Sequence, residues 1–201
     1  MPTIYALKPA FLNLLGPLTR HLAQQGVTAN QVTLAATVLS VILGLLICLF
    51  PSPKILLVLP LFLLLRMALN AIDGLLAREY HMKSSLGAIL NELGDVISDT
   101  ALYLPLALIP GFNGLVVILI VILAIMSEMT GVIATQIGAK RRYDGPMGKS
   151  DRAFIFGLIG LLMGFGFSGG LWLDSLLYGI LLLLCITIIN RARGALREVK
   201  P

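Results

Sequence analysis

KILLVLPLFLLLRMALNAIDGLLAR, residues 54–78, begins as an apolar run and ends in Asn70, Asp73, Gly74 and Arg78. A run of roughly 20 apolar residues in helical rise spans the hydrocarbon core of a bilayer. The first part of the stretch therefore reads as a membrane helix. Its polar end is the anomaly, because polar groups in a membrane segment are costly and mark function by default. Composition agrees with a membrane reading. The 201 residues are 58% hydrophobic and only 12% charged, with mean hydropathy +0.95. A soluble domain carries about 25% charged residues. The expected class is an all-α integral membrane protein.

Six spans can be drawn, at 33–50, 55–77, 85–109, 114–137, 152–168 and 171–190. Their connections alternate in charge. Lys8 and Arg20 precede the first span, Arg78 and Lys83 follow the second, and Lys140, Arg141, Arg142, Lys149 and Arg152 follow the fourth. Arg191, Arg193, Arg197 and Lys200 close the chain. These are 13 of the 15 basic residues. The positive-inside rule then places both termini in the cytoplasm. The net charge of +5 fits basic loops near anionic headgroups, with no call for nucleic acid. Residues 1–26 lack the basic start and cleavage site of a signal peptide. Ile4, Leu7, Phe11, Leu15, Leu18 and Leu22 form a helical stripe there, interrupted by Pro9 and Pro17. It reads as an amphipathic helix on the membrane surface or as an ordinary packed helix. The expected organisation is a juxtamembrane segment at 1–26, a six-helix domain at 27–192 and a basic cytoplasmic tail at 193–201. Cys48 and Cys185 lie within apolar spans without metal or redox spacing, as small buried hydrophobes.

The polar residues inside spans are not scattered. Asn70 and Asp73 close the second span; Asn91, Glu92, Asp95 and Asp99 lie in the third. Spacings of three and four residues put Asn70 beside Asp73, and put Asn91, Asp95 and Asp99 on one face. Antiparallel packing brings both groups together. Carboxylates that close repel unless a cation sits between them. Oxygen ligands without histidine or cysteine suit a hard divalent ion such as magnesium, manganese or calcium. Gly74, Ala77 and Gly87 are small enough for helices or a ligand to approach the backbone, although helix packing alone accounts for small residues.

Residues 70–95 read Asn-x2-Asp-Gly-x2-Ala-Arg-x8-Gly-x3-Asn-x3-Asp. This closely resembles the signature of the CDP-alcohol phosphatidyltransferase family, D-x2-D-G-x2-A-R-x8-G-x3-D-x3-D. Asp73, Gly74, Ala77, Arg78, Gly87 and Asp95 are identical and every spacing holds. TANQVTL at 28–34 is similar to the family's N-terminal Thr-Pro-Asn element. The chain looks most like a bacterial branch that also carries Asn at both altered positions. The resemblance implies six helices around a polar cavity open to the cytoplasm, usually in a homodimer, in a bacterial inner membrane. It implies transfer of a phosphatidyl or phospho-alcohol group from a CDP-linked donor, CDP-diacylglycerol above all, to an acceptor hydroxyl, with release of CMP. It also implies one or two divalent ions, Mg2+ or Mn2+. Carried over, Asp95 is the general base. Asp73 and Asp95 bind metal, with Asn70 and Asn91 as weaker ligands. Gly74, Ala77, Arg78 and Gly87 form the nucleotide site, helped by Asn30 and Thr33.

The two asparagines keep a carbonyl oxygen but give up charge. Asp99, one turn beyond Asp95 on nearly the same face, is expected to compensate as a further metal ligand. Glu92 points about 100° round the helix from Asn91. Three readings stay open: an active transferase with a modified site, an enzyme of this fold with a changed donor or acceptor, and a non-catalytic CDP-lipid or lipid-binding membrane protein. Arg66 and Glu128 are charges within spans, expected to pair with each other or with the site. Lys149 and Arg152, in GPMGKSDR at 145–152, are expected to bind a phosphate of donor or acceptor, or simply to be positive-inside loop residues.

Overall fold

The computed structural model describes residues 8–199. Ile4 and Leu7 of the expected stripe, and Lys200 of the tail, lie outside the described residues. Among those described, all regular structure is helical. Seven α-helices follow one another: α1 (Lys8–Gln24), α2 (Ala29–Leu49), α3 (Val58–Glu79), α4 (Ser85–Tyr103), α5 (Gly114–Ile133), α6 (Lys149–Gly164) and α7 (Leu171–Glu198). Short 3-10 turns at Pro53–Leu57, Leu104–Leu108 and Ala134–Ile137 begin α3 and extend α4 and α5.

Side-chain caps decide where the polar helix ends sit. Thr28 accepts from Gln31 N at 3.2 Å while Gln31 Oε1 accepts from Thr28 N at 2.9 Å. This reciprocal cap satisfies two free N–H groups and begins α2 just before Asn30 and Thr33. Ser84 Oγ accepts from Gly87 N at 2.9 Å and begins α4. Gly148 N donates to Asp151 Oδ2 at 3.0 Å, so Lys149 is the first residue of α6.

α2 packs most extensively on α4, α5 on α7 and α3 on α6. Glycines allow the first of these contacts. A Cβ at Gly44 would collide with the backbone carbonyl of Ala101, and one at Gly94 would lie 2.7 Å from Thr37 Oγ1. The apolar core gathers Ile47, Leu56, Leu102, Ile120, Phe156 and Leu177, with Tyr103 stacked on Phe156 at 4.4 Å. The outer surface is also apolar: Leu49, Leu61 and Leu115 are 69%, 71% and 68% exposed, and Cys48 and Cys185, expected to be buried, lie exposed on this apolar surface instead. Arg66, Asp73, Asp99, Arg152 and Arg191 are buried. Apolar outside and charge inside is the distribution that a lipid solvent favours.

Four of the helical segments are long and apolar enough to cross a membrane: 29–49, 53–79, 114–137 and 171–198. Six spans were expected. α4 falls outside this class because Glu92, Asp95 and Asp99 interrupt it, and α6 because it has only 16 residues. The expected stripe divides in α1. Leu15 and Leu22 pack toward Ile72 and Leu76 of α3, whereas Leu18 is exposed. The last helix continues through Arg193 and Arg197 to Glu198, so no break separates residues 193–198 from the span before them.

Candidate active site

The starts of α2 and α4 and the end of α3 enclose an open cleft of about 780 Å3. Asn30 and Thr33 line it from α2, Asp73, Gly74, Ala77 and Arg78 from α3, and Gly87 and Asn91 from α4. The connection between α3 and α4 adds Met82, Lys83 and Ser84 to its mouth. Eight of the residues expected to bind metal or nucleotide thus share one cleft. Small side chains keep it open: a Cβ at Gly87 would lie 2.7 Å from Asn30 Oδ1, and one at Gly74 would lie 3.0 Å from Arg78 Nη1. Asp73 is buried, and Thr33 Oγ1 donates to its Oδ2 at 2.7 Å. A carboxylate buried beside a hydroxyl donor retains lone pairs for a further partner.

Asp95 does not line this cleft. It sits one turn past Asn91 and is held by groups from two other helices. Lys149 Nζ donates to its Oδ2 at 2.6 Å. Asn70 Nδ2 donates to its Oδ1 at 3.3 Å, and Arg66 Nη2 lies 3.5 Å from the same oxygen.

Asp99 is taken up differently from the expectation that it joins a metal site. Arg66 Nη1 donates to its Oδ1 at 2.5 Å, and Arg152 Nη2 and Nε donate to its Oδ2 at 2.7 and 3.2 Å. Both oxygens face guanidinium groups, which repel a divalent ion. Arg66 and Glu128 do not pair with each other either. Glu128 receives Arg152 Nη2 at 3.1 Å, Arg191 Nη1 at 3.2 Å and Arg141 Nη2 at 3.3 Å. The result is a chain of alternating charge, Arg66–Asp99–Arg152–Glu128–Arg191, which ties α3, α4, α6, α5 and α7 together. Arg152 is 1% exposed and also donates to Met147 O at 3.2 Å. It has no face left for a phosphate, so the phosphate-binding expectation fails at Arg152 because that side chain is consumed inside the protein.

Glu92 lines the cleft, but Arg141 holds it with Nε to Oε1 at 2.5 Å and Nη2 to Oε2 at 2.6 Å. Arg141 also covers the Tyr143 ring at 4.3 Å. Burial works against its charge, yet the hydrogen bonds and charge of Glu92 hold Arg141 above the usual guanidinium range. The roles of Arg141 and Arg191 escaped the sequence reading. The only available signal was Glu128, an acid in an apolar span that had to find a cation.

Among the described residues, no three His, Cys, Asp or Glu side chains converge as a metal site. The signature donors are two carboxylates, Asp73 and Asp95, and two amides, Asn70 and Asn91. In kind they suit a hard divalent ion, since all offer oxygen.

Residues 26–189 match the CDP-alcohol phosphatidyltransferase family. The chain is 49% identical over 195 residues to inner membrane protein YnbA of Escherichia coli strain K12, covering 96% of each. Its fold is similar to that of Mycobacterium tuberculosis phosphatidylinositol phosphate synthase in complex with manganese and citrate. That match has a TM-score of 0.76 and 20% identity, over 91% of this chain and 89% of the other. The same synthase with CDP-DAG bound matches with a TM-score of 0.70 and 23% identity, over 91% and 92%. With its signature carried by α3 and α4 and its sequence matched from 26 to 189, the chain belongs to the CDP-alcohol phosphatidyltransferase family.

Proposed function

We propose that the chain is a metal-dependent transferase of phospholipid biosynthesis that moves a phosphatidyl group from CDP-diacylglycerol to an acceptor hydroxyl and releases CMP. The observation that carries this reading is the shared cleft, where Asn30, Thr33, Asp73, Gly74, Ala77, Arg78, Gly87 and Asn91 meet. Its volume suits a nucleotide headgroup, and its apolar surroundings suit acyl chains left in lipid. The relative named for the inner membrane supports that location. The excess of basic residues on one set of connections supports cytoplasmic termini and a cleft facing the cytoplasm. In this reading α4 and α6 complete six membrane helices by packing their polar faces inward, α1 lies along the membrane surface, and the chain pairs as the family's homodimers do.

Asp73 would hold a magnesium or manganese ion with the amide oxygens of Asn70 and Asn91. When bound, that ion supplies neutralisation of charge on the pyrophosphate. Gly74, Ala77 and Gly87 admit the nucleotide close to the backbone, and Arg78 faces its phosphates. Asp95, on a rigid helix, takes the acceptor's hydroxyl proton at its carboxylate. The acceptor oxygen forms a bond to the lipid-bearing phosphorus. The bond from that phosphorus to the bridging oxygen breaks, and CMP leaves with the electron pair.

Purified protein with manganese or magnesium should release CMP from CDP-diacylglycerol when offered a panel of alcohols and phospho-alcohols. Asp95→Asn should lower that rate about a hundredfold or more. Binding of CDP-diacylglycerol without CMP release for any acceptor would refute catalysis and leave a lipid-binding protein. Unchanged release by Asp95→Asn would refute the base.

A further inference from the structure

Lys149 is built into the site more firmly than a loop lysine. It opens α6 behind the Gly148–Asp151 cap. The preceding residue, Met147, donates its N–H to Thr187 Oγ1 at 3.0 Å, and its carbonyl accepts from Arg152 at 3.2 Å. From this anchored start the ammonium reaches Asp95 Oδ2 at 2.6 Å, with the side chain only 30% exposed. Lys149 also stands at the positive end of the α6 dipole, which adds to the positive charge there. The other Asp95 oxygen receives Asn70 Nδ2 at 3.3 Å and lies 3.5 Å from Arg66. Both oxygens of one signature carboxylate are therefore engaged by donors of the protein itself. Neither Glu92 nor Asp99 replaces the charge lost at Asn70 and Asn91, since arginines hold both.

We propose that the Lys149 ammonium is a fixed cation of the active site, so that the chain binds a single divalent ion at Asp73. The charge balance of the donor-free site favours it. Asp73, Asp95 and Lys149 together leave one net negative charge. One divalent ion makes that one net positive, ready for the donor's pyrophosphate with about two negative charges. A second divalent ion would leave three uncompensated positive charges among partly buried groups before the donor arrives, which desolvation makes costly. Lys149 then lies where it can meet the donor's pyrophosphate as the acceptor attacks. This catalytic consequence rests on the transferase reading above, but the ion count does not.

The test counts ions on the full chain in detergent, by titrating Mn2+ and following the free-ion paramagnetic signal, with and without CDP. Wild type should bind one Mn2+ per chain. Lys149→Met should bind Mn2+ about tenfold more tightly or take up a second ion, because a positive charge has left the ligand set. Lys149→Arg, which keeps the charge, should behave as wild type. Asn70→Asp/Asn91→Asp with Lys149→Met should bind two. Two ions of comparable affinity on wild type would overturn the proposal. So would Lys149→Met indistinguishable from wild type, including the case in which neither binds. A chain that releases no CMP yet shows Lys149-dependent Mn2+ binding would refute only the transferase reading; CMP release with ion binding indifferent to Lys149 would refute only this one.

Discussion

Arg152→Met removes the centre of the buried charge chain while keeping an unbranched side chain of similar length. Arg152 donates four hydrogen bonds: two to Asp99 at 2.7 and 3.2 Å, one to Glu128 at 3.1 Å and one to Met147 O at 3.2 Å. Breaking a buried ion pair by removing one partner costs about 3–5 kcal/mol when the other charge is left alone. Here neither acid is left alone. Asp99 keeps Arg66 at 2.5 Å, and Glu128 keeps Arg191 and Arg141 at 3.2 and 3.3 Å. The guanidinium's own desolvation cost is also relieved. The expected loss is therefore about 2–4 kcal/mol, below the full orphaned-charge figure. For a chain of this size that is a fall of roughly 5–15 °C in the apparent melting midpoint. Size-exclusion after a heating series in detergent measures it. A double-mutant cycle with Asp99→Asn should give a coupling of about 1 kcal/mol or more. A midpoint within about 2 °C of wild type, with weaker binding of phosphorylated acceptors instead, would refute the structural role and restore Arg152 as a phosphate ligand.

Three glycines give further tests. Gly87→Ala places a methyl group 2.7 Å from Asn30 Oδ1 and 3.0 Å from Ser84 Oγ. Asn30 Oδ1 ends a movable side chain, whereas Ser84 Oγ caps α4 and must give by a few tenths of an ångström; alanine's helix preference of about 1 kcal/mol offsets a weakened cap of similar size, so stability should hold while affinity for CDP falls about tenfold as Asn30 turns into the cleft, read by calorimetric titration. Gly44→Ala meets the rigid carbonyl of Ala101 across the α2–α4 contact and should cost about 1–3 kcal/mol in the same melting assay, whereas Gly179→Ala, with open space around it, should be neutral or stabilising.

The family and the polar face were legible in the chain because both are local. The signature spans residues 70–95, and helical spacing alone puts Asn91 and Asp95 on one face. The membrane class was legible for a similar reason, since hydropathy sums over short windows. Span counting was weaker at α4, where Glu92, Asp95 and Asp99 serve the interior and dilute the apolar signal.

Local pattern was thus enough to bring Asn30, Thr33, Asp73, Gly74, Ala77, Arg78, Gly87 and Asn91 to one cleft. It was not enough to tell which acidic side chains keep their charge free, which depends on how distant helices pack. Asp95, Asp99 and Glu92 are chemically alike in the sequence and three or four residues apart. Their fates differ because Lys149, Arg152 and Arg141 reach them from 49 to 54 residues away. Helical periodicity carries no information about such partners. A buried charge takes whichever counter-charge the packing of distant helices presents, because leaving it unpaired in a low-dielectric interior costs more than any local preference supplies.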